Sequence, residues 1–210
     1  MKLFKTEQEV FWAGEFGNEY VDRNQSAQHT ASNLTLFSRI LQKTTCINSV
    51  IELGANIGLN LQAIRQLLPS TKLAAVEINQ SAVKQLKSQH YDEVYHQSIL
   101  EFNPSHSYNL SLVKGVLIHI APEYLNAVYD LLYHASDRYI CIAEYYSPSP
   151  ITISYRGHEN KLFKRDFAGE ILDRFQDVTL SDYGFVYHRD NNFPQDDITW
   201  FLFEKTVLKP

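Results

Sequence analysis

Apolar positions recur along this chain in two periods, and their alternation lays out a fold before any chemistry is considered. Short, nearly continuous apolar runs occur at Val50-Ile51, at Leu73-Ala74-Ala75-Val76, and within 108–113 and 138–146, with the length and make-up of strands buried on both faces. A further strand begins at Val94 and runs on through 100. Between them, 59–68, 81–89 and 122–135 carry apolar residues at helical spacing. In 122–135, Tyr124, Leu125, Val128, Leu131 and Leu132 share one face and Pro122 opens the helix, while Pro69 closes the first of the three. Strands alternating with helices imply a largely parallel sheet covered on both sides. Later in the chain, 164–175 reads as a helix with Phe167, Ile171, Leu172 and Phe175 on one side, followed by an antiparallel strand pair at 178–188 and 198–205. Before the first strand, Thr6 and Glu9 are spaced as a capping box for a helix at 6–13. An aromatic-rich turn follows at 11–20, then a helix at 26–43 with Leu34, Phe37, Ile40 and Leu41 on one face. Ser147-Pro148-Ser149-Pro150 breaks the chain, and 151–162 has no period and is expected to be a loop.

The length of 210 residues fits one domain. A net charge of −5 without Lys/Arg tracts argues against nucleic acid as a main partner. Cys46 and Cys141 fit no metal or redox spacing, which predicts buried thiols in a reducing compartment and no metal site. The segment MKLFKTEQEVFW lacks the apolar core of a signal peptide, and no run approaches the length of a membrane span. A soluble, cytoplasmic monomer or homodimer acting on a small molecule is expected.

The chemistry concentrates in 49–79, which reads as strand, glycine turn, helix and a second strand ending in an acid. Gly54 and Gly58 permit a tight bend and the approach of a ligand, and the helix that follows points free N–H groups at it. Glu77, with Ile78 after it, is placed to accept hydrogen bonds from two ribose hydroxyls. A nicotinamide or flavin dinucleotide requires G-x-G-x-x-G, but Asn56 stands at the middle position. Glu52, two residues before the bend, would repel a pyrophosphate and suits a cationic cofactor; S-adenosylmethionine has that character. A dinucleotide-dependent sugar oxidoreductase and a non-catalytic binding module are the rival readings. Under the rule that open α/β sheets bind ligands at the carboxyl ends of their strands, Glu144 is a candidate to bind the acceptor or remove its proton, together with Tyr145 and Tyr146. His119, in an apolar run, is the second catalytic candidate. Tyr155, Arg156, His158, Asn160 and Lys164 offer donors for an anionic acceptor group, and His188, Arg189, Asp196 and Asp197 extend that pocket.

The 49–79 stretch resembles motif I of class I methyltransferases, acid-x-Gly-x-x-x-Gly, with Glu77 as the ribose acid of their second motif. The resemblance implies an α/β, Rossmann-like fold: a seven-stranded, mostly parallel sheet with an antiparallel C-terminal hairpin and helices on both faces. It also implies that 1–48 form a helical cap over the cofactor, on a methyltransferase domain of 49–210. Trp12, Tyr20 and Arg23 then fall near the methionine end or the acceptor, Ser98 and Ile99 hold adenine, and the Lys114 backbone lies beside the cofactor. Ser98 stands where many such enzymes have Asp, and Asn109 replaces an Asp often found in the fourth strand. WAGEFGNEY, ELGANIGLN, KGVLIHI, IAEYYSPSP, SYRGHENKLFKRDFAGE and YGFVYHRDNNFPQDDITWFLFEK together resemble the pseudaminic acid biosynthesis-associated methylases. That resemblance implies N- or O-methylation of a nonulosonic acid, free or nucleotide-activated, in bacterial glycan modification. Another small amine, amidine or carboxylate is the alternative acceptor.

Overall fold

The computed structural model describes residues 4–23 and 27–206. The first strand of the sheet, β1 (Ser49–Leu53), is central and has parallel neighbours on both sides, β2 (Lys72–Glu77) and β4 (Tyr108–Lys114). Outside them lie β3 (Glu93–His96) next to β2 and β5 (Ser136–Glu144) next to β4, both parallel. β9 (Ile198–Lys205) pairs antiparallel with β5, and β8 (Val178–Val186) pairs antiparallel with β9. The order is therefore β3-β2-β1-β4-β5-β9-β8, as the mostly parallel sheet with an antiparallel hairpin requires. The chain reverses direction across the sheet between β1 and β4, which opens a crevice at their carboxyl ends.

Among the described residues, seven α-helices flank the sheet: α1 (Glu7–Ala13), α2 (Glu15–Arg23), α3 (Ala27–Leu41), α4 (Leu59–Leu67), α5 (Gln80–Ser88), α6 (Leu125–Ala135) and α7 (Phe167–Arg174). Because successive strand residues face opposite sides, Ile51 and Leu53 pack with Val128 and Leu132 of α6 and Phe167 and Ile171 of α7. Val50 packs on the other side with Leu36, Phe37 and Ile40 of α3 and Leu61 and Ile64 of α4. The apolar stripe expected on the second N-terminal helix is thus part of the main core; Ser26, where that helix was expected to begin, lies outside the described residues. The Thr6–Glu9 capping box is formed: Thr6 Oγ1 accepts from Glu9 N at 3.1 Å, and Glu9 Oε2 accepts from Thr6 N at 2.9 Å.

Four expectations are corrected. The aromatic stretch 11–20 is not a turn but the end of α1 and most of α2, broken only at Gly14. The stretch expected as a loop contains a hairpin, β6 (Ile151–Tyr155) and β7 (His158–Lys164). Its two-residue connection, Arg156-Gly157, has positive φ at both positions (51° and 84°), the geometry that matches strand twist in tight hairpins. The expected helix at 164–175 starts late: Lys164 ends β7, and Asp166 caps α7 by accepting from Gly169 N at 2.8 Å. The third strand also stops at His96, where the chain turns.

α1 and α2 lie over the crevice. Asn79 Nδ2 donates to Trp12 O (3.1 Å) and to Asn18 Oδ1 (3.0 Å) from below. The hairpin holds α1 from the side, with Gln8 Nε2 donating to Asn160 O at 3.0 Å and Lys161 Nζ paired with Glu7 at 2.9 Å.

The bend before α4 depends on Gly58, whose φ is 81° and whose absent Cβ would lie 2.7 Å from Tyr91 Oη and 2.8 Å from Leu86 Cδ2. Gly58→Ala is expected to cost about 1–3 kcal/mol and lower Tm by roughly 3–10 °C in a thermal melt. An unchanged Tm would contradict this account of the bend.

Candidate active site

A cavity of about 490 Å³ occupies the crevice. Its floor is the glycine bend and the carboxyl ends of β2 and β4, its roof is Trp12 and Tyr20, and α3 and the 187–197 connection close the far side. Glu77 holds the floor together: Oε2 accepts from Asn56 N and Oε1 from Asn79 N, both at 2.7 Å. Burial pushes its carboxyl up, while these amides favour the ion. A carboxylate offers about four lone-pair directions, so acceptor capacity remains toward the cavity.

Of the two glycines, Gly54 lines the cavity and Gly58 does not. A Cβ on Gly54 would strike Val116 Cγ2 at 2.6 Å, so the bend's own packing excludes side chains there, as it does at Gly58. Gly115 also lines the cavity, at φ 67°, and a Cβ there would meet nothing within 4 Å.

Glu52 also sits elsewhere than expected: fully buried behind the wall, it reaches the cavity through Asn60, whose Nδ2 donates to Oε1 at 2.5 Å. Glu52 Oε2 and Asn60 Oδ1 are buried with no hydrogen-bond partner among the described residues. Burial pushes the Glu52 carboxyl up to about 8, against the Asn60 bond and the nearby Lys114. Two buried polar oxygens without hydrogen-bond partners are costly. Lys114 lines the cavity at the end of β4; burial holds its ammonium below the usual lysine range, opposed by Glu52, Asp196 and Glu144.

The two catalytic candidates differ from the expectation in opposite ways. Glu144 is not in the cavity. It is 2 % exposed, and Oε1 accepts from Val116 N (2.9 Å) and Leu117 N (3.0 Å) while Oε2 faces Ile118 N (3.5 Å). Burial pushes it up to about 7, against those amides. It clamps the turn after β4 and has no free face to remove a proton. His119 does line the cavity, in a short 3-10 turn, with its ring between Trp12 (4.7 Å) and Tyr155 (4.9 Å). Its Nδ1 donates to Lys161 O at 2.5 Å, which leaves the Nε2 lone pair as an acceptor. Burial pushes its pKa down to about 4, so the ring stays neutral and is a weak base.

The cavity wall brings together Trp12, Tyr20, Gly54, Asn56, Glu77, Ile78, Ser98, Ile99, Lys114, His119, His188 and Asp196 of the expected residues. The others stand apart. Arg23 pairs with Glu19 and lies over Phe16. Tyr145 bonds Asp196 from outside and carries Lys164 over its ring at 4.9 Å. Tyr155 and His158 pack the hairpin against Phe16 and Phe11. Arg156 and Asn160 take positive φ in and beside the hairpin turn, and Tyr146 and Arg189 are exposed. Asp197 holds His188. Sequence reasoning missed Asn60, Asn79, His29, Asn33, Gly115 and Gln195, all on the wall. Asn60 and Asn79 were readable as the first polar residues after a bend and a strand; the others arrive by tertiary packing.

Neither a family model nor a curated protein sequence matches the chain. Solved structures match its fold. A SAM-dependent methyltransferase of Leishmania major is 12% identical with a TM-score of 0.69, covering 95% of this chain and 86% of that one. The 1,6-didemethyltoxoflavin-N1-methyltransferase of Burkholderia thailandensis, bound to 1,6-didemethyltoxoflavin and S-adenosylhomocysteine, is 13% identical with a TM-score of 0.67 (95% and 87%). Magnesium protoporphyrin IX methyltransferase of Synechocystis PCC 6803, with bound SAM, is 9% identical with a TM-score of 0.62 (97% and 100%). The chain has the Rossmann-like class I methyltransferase fold.

Because the His119 value of about 4 lies below the 6.5 of a free imidazole, protons bind preferentially to the unfolded chain. Its contribution is complete above pH 6.5 and is lost as pH falls toward 4. Between pH 7.5 and 5 this amounts to about 2 kcal/mol. His119→Asn, which keeps a donor for Lys161 O, is expected to lose less stability over that range in urea titrations; equal losses would refute the assignment. Glu144→Gln places an NH₂ against backbone amides and is expected to cost about 1–3 kcal/mol in the same assay.

Proposed function

We propose that the chain is an S-adenosylmethionine-dependent methyltransferase for a small acceptor. The observation that carries this reading is the unpartnered pair Glu52 Oε2 and Asn60 Oδ1, one strand away from Glu77. An ammonium suits the first position and ribose hydroxyls the second, at a spacing built by β1 and β2. Ser98 and Ile99 line the floor beyond Glu77, where an adenine would lie. The cofactor, when bound, supplies a methyl group already activated on a sulfonium. The protein's own part is then positioning and exclusion of water. Gly115 lets the acceptor approach the backbone closely, and Trp12 and Tyr20 of the N-terminal cap cover the cavity. His119 Nε2 accepts a hydrogen bond from the nucleophile and orients it.

For the acceptor we propose a nonulosonic acid, free or nucleotide-activated. Support comes from the sequence resemblance and from the polar side chains that line the cavity, among them Lys114, His188, Gln195 and Asp196. A carboxylated, polyhydroxylated sugar has matching donors and acceptors.

Calorimetry with S-adenosylhomocysteine is expected to give one site per chain, and Glu77→Ala to weaken it more than tenfold, about 1.4 kcal/mol. An ammonium ligand needs Glu52 ionised, and its pKa is about 8, so affinity should rise between pH 6 and 8. Glu52→Gln should weaken binding and flatten that slope. No binding, or binding of NADH instead, would overturn the reading. Mass spectrometry of pseudaminic and legionaminic acids incubated with cofactor and enzyme, for an added methyl group, tests the acceptor.

A further inference from the structure

Removing Glu144 from the cavity leaves the reaction without the strong proton acceptor that O-methylation, or methylation of an ammonium, needs. His119, held neutral by burial, cannot take that part. The structure offers a different arrangement in the connection between β8 and β9. Asp197 accepts from His188 Nδ1 through both oxygens, at 2.8 and 2.9 Å, and from His188 N at 3.0 Å. Backbone and ring of one histidine are thus gripped by a single carboxylate. The grip places the ring proton on Nδ1 and leaves the Nε2 lone pair without a partner among the described residues.

The segment that carries the pair is itself fixed. Asp190 Oδ1 accepts from Asn192 N (2.9 Å) and Phe193 N (2.7 Å). Gln28 Nε2 donates to Asn192 O, Ser32 Oγ to Pro194 O and Gln195 Nε2 to Ser32 O, at 2.8–3.0 Å, which ties the segment to α3. His188 lines the cavity together with Gln195, Asp196 and Lys114. Its side chain is 54% exposed, so a proton it accepts has a path to solvent. The charged groups around the pair are Lys164, which acts on Asp197, and Asp196, bonded to Tyr145.

We propose that His188 is the general base for the acceptor, with Asp197 as its positioning residue; this rests on the methyltransferase reading above. The lone pair of the acceptor's N or O forms the bond to the methyl carbon. The carbon–sulfur bond breaks with its electron pair retained on sulfur. The proton of the attacking group passes to His188 Nε2, the imidazolium is stabilised by Asp197, and the proton then leaves to water.

The test uses full-length protein labelled with ¹⁵N-histidine and saturated with S-adenosylhomocysteine, the His188 signals being assigned by their loss in His188→Gln. Ring nitrogen spectra are expected to show a single neutral tautomer with the proton on Nδ1, and a mixture in Asp197→Asn. A ring protonated on Nε2, or a tautomer indifferent to Asp197→Asn, overturns the proposal whether or not an acceptor has been found. With an acceptor that the mass-spectrometric assay above identifies, His188→Gln is expected to lower kcat about 10²–10⁴-fold, with S-adenosylhomocysteine affinity within twofold of wild type. Asp197→Asn should fall between them. Wild-type turnover in His188→Gln overturns the base assignment alone. Failure of wild-type protein to bind S-adenosylhomocysteine overturns the methyltransferase reading instead.

Discussion

Three of the parallel strands, β1, β2 and β5, carry a glutamate at or next to their carboxyl ends, and all three carboxyls are buried. A buried carboxylate must be met by donors, and the way each one is met builds the crevice. Glu77 takes amides from the glycine bend and from the start of α5, so two loops share one anchor. Glu144 takes the amides that follow β4 and shapes the turn that carries His119. Among the described residues Glu52 is met by a single side-chain amide and keeps an oxygen unpartnered. The fold satisfies two of its acids and leaves the third partly unsatisfied beside the cavity.

This division explains how much of the site could be read from the chain. Buried strands and amphipathic helices announce themselves by period, and Glu52, Gly54, Gly58 and Glu77 are close enough in sequence for their relation to be visible. Glu144 was visible as an acid at a strand end, but its partners lie 26 to 28 residues away, and no local pattern reveals that backbone amides occupy it. The 151–164 hairpin escaped because its outer residues face solvent and its turn is Arg-Gly, not the Asn-Gly that signals such turns. Gln195 and Asn33 reach the cavity only because α3 and the 187–197 segment are bonded to each other across the fold.

The cavity is therefore closed by the α1–α2 cap and the 187–197 segment, with the β6–β7 hairpin bracing the cap from outside, and the three have no sequence relation to one another. The α1–α2 cap is bonded to Asn79 on one side and to the β6–β7 hairpin on the other. The hairpin in turn presents Lys161 O to His119, and the 187–197 segment rests on α3. Each of these pieces is secured to a neighbour and not only to the sheet. Changes in the hairpin thus reach the ring of His119 through one carbonyl.

The position of β9 also bears on how the protein is made. It lies between β5 and β8, yet it follows both in the chain. During translation, β1, β2, β3, β4 and β5 can assemble while β5 still presents an open edge with Ile140 and Ile142 on one face and Cys141 on the other. That edge closes only once residue 205 has left the ribosome. The nascent chain is most exposed to intermolecular strand pairing in this interval, and a chaperone that shields the β5 edge would act there.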